Sequence, residues 1–112
     1  MRVIFMISTR SEYSDGRLII FISGELDHHA AREAAAKIDD ILEEYLPRDC
    51  VLDLGGLKFM DSSGIALILR VSKRLAPTGG RTSIENPAPQ ALRVIDASGI
   101  DRLIPVAAAK RE

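Results

Sequence analysis

From residue 17 onward, short apolar runs typical of buried strands alternate with longer segments whose apolar residues recur at helical spacing. Neighbouring parallel strands need a crossover connection, usually a helix, and such crossovers are right-handed. The alternation therefore predicts an α/β fold with a mostly parallel sheet. The strand-like runs cover residues 17–23, 50–54, 81–85 and 103–106, the third being polar enough to lie at a sheet edge.

The helical segments begin and end at residues that cap or break helices. The first covers residues 26–46, with Asp27 as its N-cap and Pro47 at its end. Its polar side is mostly acidic and is expected to face solvent. Two further helices are predicted over residues 62–76 and, opening at Pro87 or Pro89, up to about Ala97.

The amino-terminal segment predicts a β-hairpin. Residues 1–7 are basic and then apolar, but polar residues follow too early for a signal peptide, so this run predicts a first strand. The Ser-Asp-Gly sequence at residues 14–16 predicts the turn into the next strand. We therefore expect one domain over residues 1–112, with a sheet of four to five strands, this hairpin and three to four helices.

Charge and composition exclude several classes of protein. The chain has 15 Lys and Arg against 16 Asp and Glu, so its net charge of −1 offers no attraction to nucleic acid or anionic lipid. No apolar stretch approaches the ~18 residues of a membrane span. The single cysteine, Cys50, lies in an apolar run, which indicates a buried thiol. We expect a cytoplasmic protein without direct contact to nucleic acid or membrane.

Two junctions between a strand and the following helix are candidate sites, because ligands of open α/β sheets bind where strands end. They are residues 24–29, Gly-Glu-Leu-Asp-His-His, and residues 59–64, Phe-Met-Asp-Ser-Ser-Gly. In the second, Asp61 and Ser62 are ordinary N-cap residues. The same position suits an anion, so a phosphoryl group on Ser62, with a charge of about −1.5 to −2, would be tolerated by the fold.

A serine hydrolase is the enzymatic alternative. It would combine Ser62 with His28 or His29 and with Asp61 or Asp27. The Gly-x-Ser-x-Gly elbow is missing, and no separate oxyanion loop is evident. We therefore expect no catalytic residues.

A metal or nucleotide site is also poorly supported. His28 and His29 lie near Asp27 and Glu33, but no further His or Cys supplies a zinc spacing. The glycine pairs at residues 55–56 and 79–80 match neither the P-loop nor the dinucleotide fingerprint. We expect neither a bound metal nor a cofactor.

The two junctions together closely resemble those of bacterial anti-sigma factor antagonists of the STAS domain family, particularly its sporulation, anti-sigma F branch. The motifs at residues 24–29 and 59–65 follow each other at the family's spacing. Residues 92–100 are similar to the family's final helix and its Gly-hydrophobic exit. The resemblance implies a STAS-like fold over about residues 16–106.

The resemblance implies a partner switch and not an enzyme. The unmodified protein would bind an anti-sigma factor that is also a serine kinase, which frees the sigma factor. The kinase would use ATP and Mg²⁺ to phosphorylate Ser62, and a PP2C-type phosphatase would reverse the reaction. A monomer without a cofactor of its own is expected, and a STAS-type small-ligand or nucleotide sensor remains the alternative. The partner-binding residues implied are Asp27, His28, Asp61, Ser63, Gly64 and Ile65.

Departures from the family's pattern affect the second helix and the fourth strand. Ala66 and Arg70 stand where members often have glycine, which adds bulk and charge. The strand at residues 81–85 is unusually polar. The helix could also provide an apolar docking face, or pack that face under the third helix. We expect Ile65, Ile68, Leu69 and Leu75 in the core, with Leu67 and Val71 toward the flank.

Overall fold

A computed structural model describes residues 7–108. The predicted α/β fold is confirmed: within these residues a β-hairpin is followed by three units, each an α-helix and then a β-strand. The predicted strand over residues 1–7 falls almost wholly outside the described residues. The strands are β1 (Ser8–Ser14), β2 (Arg17–Leu26), β3 (Asp49–Met60), β4 (Arg81–Glu85) and β5 (Val106–Ala107). The helices are α1 (His28–Tyr45), α2 (Ser62–Leu75) and α3 (Pro89–Ser98), with 3₁₀ turns at Ala76–Thr78 and Ile100–Arg102.

The five strands form one sheet in the order β1-β2-β3-β4-β5. β1 runs antiparallel to β2, and every later neighbour is parallel. Because successive right-handed crossovers advance in one direction across the sheet, all three helices pack on the same face. This arrangement brings the ends of β2 and β3 and the starts of α1 and α2 to one edge of the domain.

The core lies between the sheet and the helices. Alternate residues of β2, namely Leu18, Ile20 and Ile22, are buried and face the helices. Leu52 and Leu54 of β3 continue this layer. Each fully buried aliphatic side chain of this size contributes about 1.5–3 kcal/mol, so the layer fixes the sheet against its helices.

The predicted loop over residues 55–61 is wrong, because β3 continues to Met60. β2 also continues, and their pairing extends to Leu26 opposite Met60 through two register shifts. Gly56 permits the close approach: a Cβ there would lie 2.6 Å from Cβ of Ser23. The glycine pair therefore belongs to a strand and not to a turn.

Two smaller strand predictions also need correction, and one strand was not predicted. The unpredicted strand is the polar segment Ser8–Ser14, which is held by hydrogen bonding to β2 and has no apolar alternation that would mark it. The last strand is only Val106–Ala107, because the amides of Leu103 and Ile104 bond to the carbonyl of Ile100 and keep the preceding chain in a turn. β4 is not an edge, since β5 pairs with it at Ile84 and Glu85.

Cys50 is a buried thiol, as the sequence predicts. Its exposed fraction is 0%, and burial raises its pKa from 9.0 to about 12. The thiol therefore stays protonated at physiological pH, and since the thiolate is the reactive form, Cys50 is an unreactive core residue.

Candidate functional site

The two junctions chosen from the sequence lie side by side. Glu25 pairs with Phe59 and Leu26 with Met60, so β2 and β3 end at the same level. Asp27 directly follows β2, and Asp61 directly follows β3. Residues more than 30 positions apart in sequence thus form one edge, as expected for the carboxyl ends of parallel strands.

Both aspartates cap helices. Oδ1 of Asp27 accepts a hydrogen bond of 2.9 Å from the amide of Ala30 in the first turn of α1. Oδ1 of Asp61 accepts one of 2.8 Å from the amide of Ser63 in the first turn of α2. Each bond satisfies an amide that the helix leaves free, and such a cap contributes about 1 kcal/mol. The roles of Asp27 and Asp61 in partner binding remain predictions, since the fold itself explains both residues.

Ser62 is the first residue of α2, and its side chain is exposed. The residue lies at the positive end of a helix of 14 residues. Ser63 is half-buried and lines a pocket together with residues of α1, whereas Ser62 is exposed. Of the two hydroxyls, that of Ser62 is the more accessible to another protein.

A groove lies between α1 and α2, and Ser63, the residue after Ser62, is part of its lining. Its volume is about 290 Å³. Its floor is made of small and apolar side chains, and His28, Arg32 and Arg70 border it. The groove therefore combines an apolar floor with a basic rim. The lining residues are His28, Ala31, Arg32 and Ala35 from α1, and Ser63, Ala66, Leu67 and Arg70 from α2.

The basic residues of the rim differ in their partners. Arg70 donates a hydrogen bond of 2.6 Å to Asp39, and this bond raises the pKa of the Arg70 guanidinium. Arg74 contacts the same carboxylate at 3.0 Å and also Glu43 at 3.2 Å. The acidic side of α1 is thus partly paired with α2 and not simply solvated. Arg32 forms no ion pair with any residue between positions 7 and 108.

The apolar residues of α2 are distributed differently from the prediction. Leu67 and Val71 are 3% and 1% exposed, so they belong to the core and not to the flank. Ile65 and Leu69 are only partly buried against that core. The physical reason is the orientation of α2 between α1 and α3, which turns a different side of the helix toward the sheet from the one predicted. The buried residues form one helical stripe, namely Gly64, Leu67, Ile68, Val71 and Leu75.

Gly64 packs against the end of β3. A Cβ at this position would overlap the side chain of Met60, whose Sδ would lie 2.5 Å away. Cδ2 of Leu26 would follow at 3.2 Å. The glycine therefore lets the first turn of α2 sit directly on Met60, which gives it a packing role beside the partner contact predicted for it.

The geometry bears on the alternative functions. Each aspartate of the proposed hydrolase triad caps a helix, and no hydrogen bond joins Ser62 to His28 or His29 in the part of the chain described. A sensor would need a pocket at the junctions, and the groove lies there, with a volume at the lower end of the ~300–1,000 Å³ usual for small-molecule sites. Among residues 7–108, no three His, Cys, Asp or Glu side chains are grouped to hold a metal ion. No helix of that region is long and apolar enough to cross a membrane.

Two features of the site were missed by sequence reasoning. Arg32 follows His28 at helical spacing, and this signal was available, but only the packing of α1 on α2 shows that both border a groove. Gln90 donates to and accepts from the backbone of Met60, at 2.9 Å and 2.7 Å. No local pattern marks Gln90, because its partner is 30 positions away.

Comparison with known proteins identifies the family. Residues 8–112 match the STAS domain. The anti-sigma F factor antagonist of Paenibacillus polymyxa is 35% identical over 95 residues, which cover 85% of this chain and 81% of that protein. The anti-sigma F factor antagonist of Lysinibacillus sphaericus is 39% identical over 83 residues, which cover 74% of this chain and 71% of that protein.

Solved structures agree with this result. The anti-sigma factor antagonist SpoIIAA in its unphosphorylated form superimposes with a TM-score of 0.75 at 31% identity, over 90% of this chain and 89% of that one. The Bacillus cell fate determinant SpoIIAA in the phosphorylated form gives a TM-score of 0.67 at 31% identity, over 90% of this chain and 92% of that one. The resemblance stated from the two junction motifs is confirmed. The chain therefore belongs to the STAS domain family, in the branch of the sporulation anti-sigma factor antagonists.

Proposed function

We propose that this protein is an anti-sigma factor antagonist switched by phosphorylation of Ser62. Its unphosphorylated form binds an anti-sigma factor, which then releases a sigma factor. The observation that supports this most strongly is the placement of Ser62: it is exposed, opens α2 directly after the capping Asp61, and directly precedes Ser63, which lines the groove. The names of the similar proteins, including one solved in both phosphorylation states, support the same role.

The fold can accept a phosphoryl group on Ser62 without rearrangement. The side chain is exposed, so the new charge need not be buried. A helix N-terminus favours nearby negative charge by about 0.3–1 kcal/mol at a surface. The fold therefore tolerates the phosphorylated state, and the effect of the modification falls on the partner.

The groove is the docking surface in this proposal, and its occupant is the anti-sigma factor. A surface segment of that protein with an apolar ridge would lie on Ala31, Ala35 and Ala66, and its acidic side chains would approach Arg32. Two observations support this placement: Arg32 has no ion-pair partner among residues 7–108 and is available to an acidic group, and Ser63, next to Ser62, lines the groove. The predicted contacts Asp27, His28 and Ser63 then lie at the same end, beside the modified hydroxyl.

The modification itself requires an anti-sigma factor with serine kinase activity. Oγ of Ser62 attacks the γ-phosphorus of ATP, its O–P bond forms, and the bond to the β–γ bridging oxygen breaks so that ADP leaves. The hydroxyl proton passes to a base of the kinase, and Mg²⁺ held by the kinase stabilises the phosphates. A PP2C-type phosphatase hydrolyses the ester. A monomeric state and a cytoplasmic location belong to the same proposal.

Mass-spectrometric mapping of the phosphorylated residue tests the proposed function. The protein is incubated with ATP, Mg²⁺ and each anti-sigma kinase encoded by the same genome, and intact mass and peptide fragmentation are recorded. We expect the mass of one phosphoryl group to appear on Ser62 and to be absent from Ser62→Ala. Transfer that persists in Ser62→Ala, or no transfer from any of these kinases, would contradict the proposal.

The rim of the groove gives a second test. Arg32→Glu should weaken binding of the unphosphorylated protein to its anti-sigma factor about tenfold, because an unpaired cation is replaced by an anion opposite acidic groups. Calorimetry measures the affinity. The difference in affinity between the wild type and Arg32→Glu should be smaller at high salt, because salt screens the charges. Arg93→Glu is the matched control, since it makes the same charge change at an exposed position on α3. Equal affinities for the two variants would exclude Arg32 from the interface.

A further inference from the structure

The last part of β3 lacks β4 as a neighbour. β4 pairs with Asp49 to Asp53 of β3, and this pairing ends well before Met60. On the other edge, β2 accompanies β3 as far as Leu26 and Met60. The end of β3 that leads into the phosphorylation site therefore needs another hydrogen-bond partner on its β4 side.

The side chain of Gln90 supplies that partner. Its Oε1 accepts a hydrogen bond of 2.7 Å from the amide of Met60, and its Nε2 donates one of 2.9 Å to the carbonyl of the same residue. A primary amide resembles a peptide group, so one side chain reproduces both bonds that a neighbouring strand would exchange with Met60. Gln90 itself is held by α3, which begins at Pro89.

Met60 is consequently fixed on every side. Its backbone lies between Leu26 and Gln90, and its fully buried side chain lies beneath Gly64. The next residue is Asp61, the cap of α2, whose own amide has only a long bond of 3.4 Å to the carbonyl of Leu26. The direction in which the chain enters Asp61 and Ser62 is therefore determined mainly at Met60.

We propose that Gln90 is a positioning residue for the Ser62 switch and that it acts through the backbone of Met60. This inference rests on the proposed function, since positioning matters only if Ser62 receives a phosphoryl group. The reacting oxygen must lie about 3–3.5 Å from phosphorus with aligned geometry, and a displacement of about 1 Å can cost a hundredfold in rate. Loosening the end of β3 then lowers turnover while the rest of the fold stays intact.

The experiment uses two variants and one control. Gln90→Met removes both hydrogen bonds at similar volume, whereas Gln90→Glu keeps the acceptor for the Met60 amide and loses the donor. Arg93→Met is the control, because it introduces the same side chain at an exposed position of α3. The readouts are amide hydrogen exchange at Met60 in the isolated protein and steady-state phosphorylation by the kinase that modifies the wild type.

We expect Gln90→Met to accelerate exchange at Met60 at least tenfold and to lower kcat for phosphorylation about tenfold, with a smaller change in KM. Gln90→Glu should give intermediate values, and Arg93→Met should match the wild type. A purely structural role would lower Tm but leave kcat unchanged well below the unfolding temperature. Rapid exchange with unchanged kcat therefore overturns the positioning role. An exchange rate in Gln90→Met equal to that of the wild type would show that Gln90 does not hold the backbone of Met60.

The two readouts, amide hydrogen exchange and phosphorylation kinetics, separate this inference from the proposed function. If no kinase modifies the wild type, the proposed function fails and the positioning role fails with it, whatever the exchange data show. If the wild type is modified and Gln90→Met is modified at the same kcat, only the inference about Gln90 fails.

Discussion

A phosphoryl group on Ser62 is expected to lower the affinity for the anti-sigma factor about a thousandfold, which corresponds to about 4 kcal/mol. The unmodified hydroxyl is neutral and exposed, and the next residue, Ser63, lines the groove, so a partner bound in the groove would desolvate the surface around Ser62. A dianion placed there must lose water on binding and would face the acidic side chains that the proposal gives to the partner, and like charges across an interface cost several kcal/mol. Calorimetry of the unmodified and the enzymatically phosphorylated protein measures the difference.

Substitutions separate charge from shape at this position. Ser62→Ala should bind like the wild type, while Ser62→Asp carries a single charge and should lose less affinity than the phosphoprotein. Ser14→Asp is the matched control, since it adds the same charge to an exposed serine. Ser14 ends β1 and pairs with Arg17 at the start of β2, whereas Ser62 lies near the end of β2. Affinity of the phosphoprotein within threefold of the unmodified protein would rule out electrostatic exclusion as the mechanism of the switch.

The placement of Ser62 could be predicted from the sequence because local rules determine it. Asp61 is a favoured N-cap, the following residues have helical periodicity, and parallel strands bring their carboxyl ends together. These rules act over a few residues or follow from the strand order. The start of α2 and its neighbour at Asp27 were therefore both found where the sequence indicated.

The groove could not be predicted in the same way, because it depends on how two helices pack. The spacing of Leu67 and Val71 is compatible with either a core or a flank position, and the contacts of α2 with α1 and α3 decide it. Arg70 looked like an added charge on a docking face, yet it is bound by Asp39 of α1. Such choices require knowledge of the neighbouring helix, which no local pattern contains.

The length of β3 shows a second limit of sequence patterns. A glycine pair at residues 55–56 ordinarily marks a turn, but here Gly56 lies against Ser23 within paired strands. Gln90 then closes the end of the same strand from 30 positions away. The part of the fold that holds the proposed phosphorylation site in place is thus determined by tertiary contacts, whereas the site itself is marked by local sequence.

The contact between Met60 and Gly64 should dominate the stability of this end of the domain. Met60→Ala removes a fully buried side chain and should lower the free energy of unfolding by about 3 kcal/mol. Gly64→Val should cost about 3 kcal/mol as well, because the added atoms overlap Met60. Glycine and valine differ little in helix propensity, so this cost reflects packing.

Combining the two substitutions gives the decisive measurement. Valine at position 64 would occupy the cavity that Met60→Ala leaves, so the double variant should be more stable than the sum of the single costs predicts by at least about 1 kcal/mol. Urea denaturation of the four proteins measures this coupling. Ala66→Val, at an exposed position on the same helix, should cost less than about 1 kcal/mol. If the single costs simply add, α2 does not rest on Met60 through Gly64, and the strand end that Gln90 holds would not control where the helix bearing Ser62 begins.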